Sequence, residues 1–227
     1  MTAAKAPAKD GLTLAERRVL ADIGRLVRER LDADPGVHRI GVDGVDLYAV
    51  SDFLSASECE RLIGLIDAVA QPSPTYPGGA AHRTSWSGDF DPADPFVKMI
   101  ERRIADLIGI EETWAETMQG QRYQPGQEFL PHFDWFQPEG IYWPEERQRA
   151  GQRSWTAMVY LNSVEEGGET EFPKIGASVP PQPGVLIAWN NARADGRPNP
   201  LTLHAARPVL AGCKYVITKW FRCRRWQ

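Results

Sequence analysis

His132 and Asp134, two residues apart, with His204 and then Lys214 further on, constrain this chain more than any other feature. A histidine and an aspartate at i and i+2 of an extended strand project to one face, so a second strand must return to bring His204 beside them. Two neutral imidazoles and a carboxylate grouped on one side of a metal leave other positions open, an arrangement that suits ferrous iron. Lys214 then places a positive charge inside a barrel, where an ammonium is costly without an anionic partner. A dicarboxylate ligand meets that need.

An HxD triplet alone is a weak signal, because the chain has four histidines and a chance triplet is common. Its surroundings are more specific. Arg83-Thr84-Ser85 comes first, followed by the segment from Arg122-Tyr123 through Pro131 to Phe136 that carries the triplet. Arg153 to Asn162, Gly167-Gly168-Glu169-Thr170-Glu171-Phe172-Pro173, His204 to Tyr215 and Thr218-Lys219-Trp220 then follow. In order and spacing these segments resemble the catalytic domain of prolyl 4-hydroxylases, 2-oxoglutarate- and Fe(II)-dependent dioxygenases, in its single-domain bacterial, algal and plant form. The resemblance spans about residues 40 to 225, and several ordered motifs are far more specific than one.

The resemblance implies roles position by position. His132, Asp134 and His204 correspond to the iron ligands, and Lys214 to the partner of the distal carboxylate of 2-oxoglutarate. Thr170 corresponds to a second donor to that carboxylate. Tyr123 corresponds to a tyrosine whose hydroxyl approaches the co-substrate, with Tyr160 a further candidate for the same pocket. Arg153 and Trp220 match positions that face the substrate. Phe129, Ala206 and Tyr215 depart from the family's usual tyrosine, glycine and tryptophan, which leaves the ligands intact but leaves the substrate open.

The implied activity is hydroxylation of a C–H bond, foremost of prolyl residues in a peptide or protein. Fe(II), 2-oxoglutarate and O2 are consumed or held, succinate and CO2 are released, and ascorbate is a candidate reductant. The alternatives are the same iron chemistry on a free amino acid or other small metabolite, and a catalytically inactive jelly-roll binding module.

Composition narrows the partners. With 26 basic against 30 acidic residues and a formal charge of −4, the chain has no general attraction for nucleic acid. Cys59, Cys213 and Cys223 are odd in number and lack metal-type spacing, which fits a reducing cytoplasm. Residues 1–10 lack the apolar core of a secretory signal, and no apolar run is long enough for a membrane span. His38 and His82 have no context beyond ordinary surface or hydrogen-bonded roles.

Helices are expected first and strands later. Thr13 with Glu16 and Ser55 with Glu58 read as capping boxes. Leu20, Ile23, Val27 and Leu31 form one helical stripe, and Leu62, Ile63, Ile66 and Val69 another. The arginines Arg17, Arg18, Arg25, Arg28 and Arg30 read as the solvated face of the first helix. Asp94, Pro95 and Gly109 mark the ends of a third helix. Strands are expected at 43–50, 114–124, 129–135, 154–162, 184–189, 201–207 and 214–223. Together they imply an α+β, mainly β chain: a double-stranded β-helix, or jelly roll, braced by N-terminal helices. Residues 1–35 are expected to be a tail and a helix packed on a catalytic domain at 36–227. The polar stretches 136–152 and 190–200 are too long for tight hairpins and read either as mobile walls at the barrel mouth or as surface loops.

Overall fold

A computed structural model describes residues 11–74 and 83–226; the N-terminal tail and His82 lie outside the described residues. Helix α1 (Leu14–Ala33) leads into strands β1 (Val37–Arg39) and β2 (Leu47–Val50), then helix α2 (Ala56–Val69). Strands β3 (Gln71–Pro72) and β4 (Trp86–Asp89) precede helix α3 (Pro95–Ile108). Next come β5 (Gln119–Tyr123), β6 (Phe129–His132), the short helix α4 (Trp143–Arg149) and β7 (Arg153–Tyr160). The chain closes with β8 (Glu166–Gly167), β9 (Thr170–Phe172), β10 (Ala177–Val179), β11 (Leu186–Asn190), β12 (His204–Ala206), β13 (Val209–Ala211) and β14 (Lys214–Arg222). Eight strands form one sheet in the order β1-β2-β11-β7-β14-β5-β4-β3, faced by a four-stranded sheet, β10-β9-β12-β6. This is the jelly roll that the strand pattern implies.

The helices start where their caps dictate. Thr13 and Ser55 each accept from the backbone of the glutamate three residues on, which reaches back in turn, so both capping boxes form. Asp94 caps α3, Pro95 occupies its first turn, and Gly109 ends it in the left-handed conformation. Arg18, Arg25 and Arg30 of the α1 arginine face are exposed, as the sequence suggests, while two of the arginines also tie the helix to its neighbours. Arg30 donates to the carbonyls of Asp106 and Leu107 at the end of α3, both at 3.0 Å from Nε, and Arg28 meets Asp46 at 3.3 Å. The α3 carbonyls have no helical partners, so a guanidinium there satisfies them.

Alternation along the central strands creates two cores. On β7, Trp155, Ala157 and Val159 join Leu62, Ile66, Ile100 and Ile104 in the layer between the large sheet and the helices. Met158 and Tyr160 point the other way, joining Tyr123, Phe172, Trp189 and Val216 between the two sheets. On β14, Ile217 and Phe221 face the helices, while Val216 lies in the inter-sheet layer. The period of two that separates the faces therefore assigns Lys214, Thr218 and Trp220 to the barrel interior.

Two sequence expectations change. The 136–152 stretch contains α4, with Trp143 and Phe136 buried against Leu12 and Leu20. It forms because Pro144, Glu145 and Glu146 suit a first turn and Arg147 and Arg149 a last one, a signal without apolar periodicity. The strand expected at 129–135 stops at His132, so Asp134 lies in a bend beyond it rather than on the strand. The 190–200 stretch is tied down: Asn199 donates to the Gly44 carbonyl at 2.8 Å. His38 is exposed on β1, and the thiols of Cys59, Cys213 and Cys223 are free. Among the described residues no helix is long and apolar enough to cross a membrane.

Lys219 on β14 and Glu101 on α3 form a buried pair at 2.5 Å, with Glu101 also accepting from the Met118 amide at 3.2 Å. Lys219→Met should cost about 3–5 kcal/mol in urea unfolding because it strands a buried carboxylate, whereas Lys219→Met with Glu101→Leu should recover much of that loss. Equal losses in the single and double variants would contradict this assignment.

Candidate metal centre and its two cavities

Strands β6 and β12 run antiparallel with His132 directly opposite His204, and the two rings lie 4.3 Å apart between centroids. The bend after β6 turns the Asp134 carboxylate back to them. One ligand atom from each of His132, Asp134 and His204 lies within 4.8 Å of the others, with Asp134 Oδ2 3.8 Å from His204 Nε2.

Each imidazole is held from behind. His132 Nδ1 lies 2.9 Å from the Leu130 carbonyl and His204 Nδ1 2.9 Å from the Thr202 carbonyl. A carbonyl can only accept, so each Nδ1 carries the proton and each Nε2 keeps its lone pair. Thr156, on the inward face of β7, donates to Asp134 Oδ2 at 2.7 Å, and Asn191 donates to the Thr156 hydroxyl at 3.0 Å. Phe129 stacks on His132 at 3.5 Å and 12°. Burial, reinforced by neighbouring His204, pushes the His132 pKa down to about 3, so the ring stays neutral. Burial alone would raise the Asp134 pKa, but the two histidines, Arg153 and Thr156 together hold it below the usual carboxylate range. Two neutral nitrogen donors and one anionic oxygen, each oriented by a second partner, fit a divalent transition metal such as Fe(II).

Two cavities meet at this cluster. The inner one is lined by Tyr123, Thr170, Lys214, Thr218 and Ala206, and the outer one, of about 620 Å³, by Arg83, Glu116, Phe136, Arg153 and Trp226. Phe129, His132, Asp134 and Trp220 line both.

In the inner cavity Lys214 is 1% exposed, and its ammonium touches the Thr170 hydroxyl at 3.4 Å. It also lies over the rings of Tyr123 and Tyr160, at 5.4 and 5.5 Å. Burial pulls its pKa down to about 7, with Glu169 opposing. Gly167 and Gly168 both have positive φ, and a Cβ on Gly167 would sit 2.3 Å from the Pro208 carbonyl, so the turn before Thr170 requires glycine there. The Tyr123 hydroxyl donates to Gln121 at 2.8 Å. Tyr160 lends its ring to Lys214, and its hydroxyl meets both Thr170 and the Val179 carbonyl, the latter at 3.2 Å. Of the three departures, Phe129 and Ala206 line the inner cavity, whereas Tyr215 faces outward and donates to Asp67 at 3.0 Å.

In the outer cavity the Arg153 guanidinium lies over Trp220 at 4.2 Å and Phe136 at 4.9 Å, and is forked by Glu116 at 2.6 and 2.7 Å. Sequence reasoning passed over Thr156 and Glu116. The signal for Thr156 was a threonine on an inward position of an otherwise apolar strand; Glu116, in an irregular stretch, gave none.

Residues 118–222 match the 2OG-Fe(II) oxygenase superfamily. The chain is 33% identical over 199 residues to probable prolyl 4-hydroxylase 3 of Arabidopsis thaliana, covering 76% of this chain and 68% of that protein. This chain belongs to the prolyl 4-hydroxylase-like 2-oxoglutarate- and Fe(II)-dependent oxygenases. The oxygenase is an oxidoreductase of mainly β, jelly-roll fold. It is also 37% identical over 144 residues to the rat prolyl 4-hydroxylase subunit alpha-1, but spans only 26% of that longer protein. Among solved structures, the viral collagen prolyl hydroxylase of Paramecium bursaria Chlorella virus-1 superposes with a TM-score of 0.62 at 26% identity, covering 85% of this chain and 98% of that one.

In the metal-free oxygenase the His132 ring nitrogens should keep the NMR shifts of a neutral imidazole from pH 8 down to pH 5. Because its folded pKa is depressed, the unfolded chain binds more protons between about pH 3 and 6.5, so this group's share of stability is full above 6.5 and lost as pH falls through that window. Titration of His132 near 6.5 in the folded protein would contradict the packing described.

Proposed function

We propose that this oxygenase hydroxylates prolyl residues of a peptide or protein, with Fe(II) held by His132, Asp134 and His204 and 2-oxoglutarate in the inner cavity. The observation that carries the reading is the position of the three-ligand cluster between a cavity ending in a buried ammonium and an aromatic cavity open to solvent. When bound, iron and 2-oxoglutarate supply the oxidising power to place one atom of O2 on an unactivated C–H bond, releasing succinate and CO2. Ascorbate is the candidate reductant for iron that leaves the ferrous state.

The chain's own residues divide the remaining work. Lys214 and Thr170 offer an ammonium and a hydroxyl to the distal carboxylate, and the rings of Tyr123 and Tyr160 exclude water from that end. Thr156 holds Asp134 in place as a ligand. Trp220 and Arg153 form the wall against which the target residue packs, close to Asp134. An outer cavity of about 620 Å³ suits several residues of a peptide and would leave a free amino acid loosely held. The printed description of the viral structural relative, a collagen prolyl hydroxylase, supports the same substrate class.

A panel of proline-rich peptides, free proline and free pipecolate, read by succinate release and by mass for one added oxygen, tests the substrate. Peptide-dependent succinate with a product heavier by one oxygen is expected; response to a free amino acid alone would overturn the peptide reading. Alanine at His132, Asp134 or His204 should abolish turnover and the absorption that develops when Fe(II) and 2-oxoglutarate are added without oxygen.

Two further outcomes are specific to this geometry. Thr156→Val should weaken Fe(II) binding about 10–100-fold while leaving the fold intact, since it frees the carboxylate without removing it. Unchanged metal affinity would remove Thr156 from the account. A lysine whose pKa is about 7 becomes charged when a dianion binds, so 2-oxoglutarate binding should take up close to one proton at pH 8 and little at pH 6, with affinity falling as pH rises above 7. Calorimetry in buffers of different ionisation enthalpy measures this, and Lys214→Ala should remove the uptake and weaken binding about tenfold or more. Proton uptake that survives in Lys214→Ala would contradict the assignment.

A further inference from the structure

Arg222, at the end of β14, is fully buried and lines neither cavity itself. One arm donates to Glu116 Oε1 at 2.8 Å, the same carboxylate that takes Arg153 Nε at 2.6 Å. The other arm donates to the Glu146 carboxylate at 2.7 Å, to the Glu146 carbonyl at 3.1 Å and to the Gly151 carbonyl at 2.6 Å, gripping α4 and the turn that follows it. Its guanidinium lies 4.6 Å from the centre of the Phe136 ring, which Arg153 also covers. The Phe136 backbone is fixed on both sides by buried Gln152, which accepts from its amide at 2.7 Å and donates to its carbonyl at 2.6 Å. The two guanidiniums and two carboxylates balance in charge, so each acid neutralises a group that would otherwise be stranded.

We propose that Arg222 is a positioning residue for the substrate side of the site. Through Glu116 it fixes Arg153 over Trp220, and through Glu146 it pins α4 as a rigid outer wall, so that the target residue meets a preformed surface. This rests on the reading of Arg153 and Trp220 as the substrate wall. It also bears on 136–152, which the sequence leaves as a mobile wall or a surface loop: the stretch is a wall at the barrel mouth, but a clamped one. Four convergent donor contacts on one buried side chain, tying the end of β14 to the stretch before β5, to α4 and to the loop beyond, leave little freedom for hinge motion.

The test compares wild type with Arg222→Gln, Arg222→Lys and Glu146→Gln. Arg222→Gln should raise KM for the hydroxylated peptide about tenfold and increase the succinate formed per hydroxylated product, because the target bond is less well held. Anaerobic Fe(II) and 2-oxoglutarate binding should stay within about twofold, since the inner cavity is untouched, and Arg222→Lys should partly restore coupling. Glu146→Gln should speed proteolytic cleavage within 136–152. Unchanged KM and coupling in folded Arg222→Gln, or a parallel loss of iron and 2-oxoglutarate binding, would overturn the proposal. If Arg222→Gln does not fold, Arg222→Lys and Glu146→Gln carry the same comparison, and wild-type coupling and cleavage in both would overturn it.

A readout independent of substrate separates this proposal from the prolyl reading. The Arg153 Nε–H resonance, assigned by its loss in Arg153→Lys, should be protected from exchange in wild type and exposed in Arg222→Gln. Wild type that hydroxylates no prolyl peptide but shows this protection loses only the substrate reading; an Arg153 signal indifferent to Arg222 loses the clamp.

Discussion

The pairing of His132 with His204 across β6 and β12 is the contact on which the site depends. It is set by sheet register, and a slip of one residue would turn one imidazole to the opposite face. The same ladder continues from β12 to β9, where Ala206 lies opposite Thr170. Register thus places two ligands and the hydroxyl beside Lys214 in one step. The Leu130 and Thr202 carbonyls then select the tautomer, so both lone pairs face inward before any metal arrives.

The inward faces of β14 and β7 act as a ruler through the barrel. Lys214 stands opposite Tyr123 at one end of β14, and Trp220 stands opposite Thr156 near the other. At roughly 3.4 Å per residue, six residues of strand separate the Cα atoms of Lys214 and Trp220 by about 20 Å, and their side chains enter the barrel from opposite ends of the ligand cluster. Ile217 and Phe221, on the opposite face of β14, are locked into the helical layer, so the ruler cannot slide. The separation of a charged inner end from an aromatic outer end follows from alternation on strands packed on both faces. It also explains why Tyr215, one residue from Lys214, has no part in the site.

Much of this was legible in the sequence because it rests on local chemistry or short periods. The capping boxes at Thr13 and Ser55, the Asp94 and Gly109 helix ends and the His132, Asp134, His204 and Lys214 grouping all formed as their residue types imply. What escaped depends on contacts between distant segments. Helix α4 carries no apolar stripe and is held by Arg222 and by Arg147 pairing with Glu16. Asp134 reaches the cluster from a bend, which spacing alone cannot distinguish from a strand. Tyr160 reads in sequence only as a further candidate for the co-substrate pocket; its ring reaches Lys214, but which groups its hydroxyl meets depends on where Thr170 and Val179 return. Glu116 and Arg222 are ordinary charges in sequence and become a network only when four segments meet.

The most direct test of the divided site is a crystal structure of the protein grown without oxygen with Mn(II), a redox-stable stand-in for Fe(II), and 2-oxoglutarate. One metal on His132 Nε2, Asp134 and His204 Nε2 is expected, with the distal carboxylate within about 3 Å of Lys214 Nζ and bonded to Thr170. A metal bound elsewhere, or a carboxylate directed toward Arg153 and Trp220, would contradict the account.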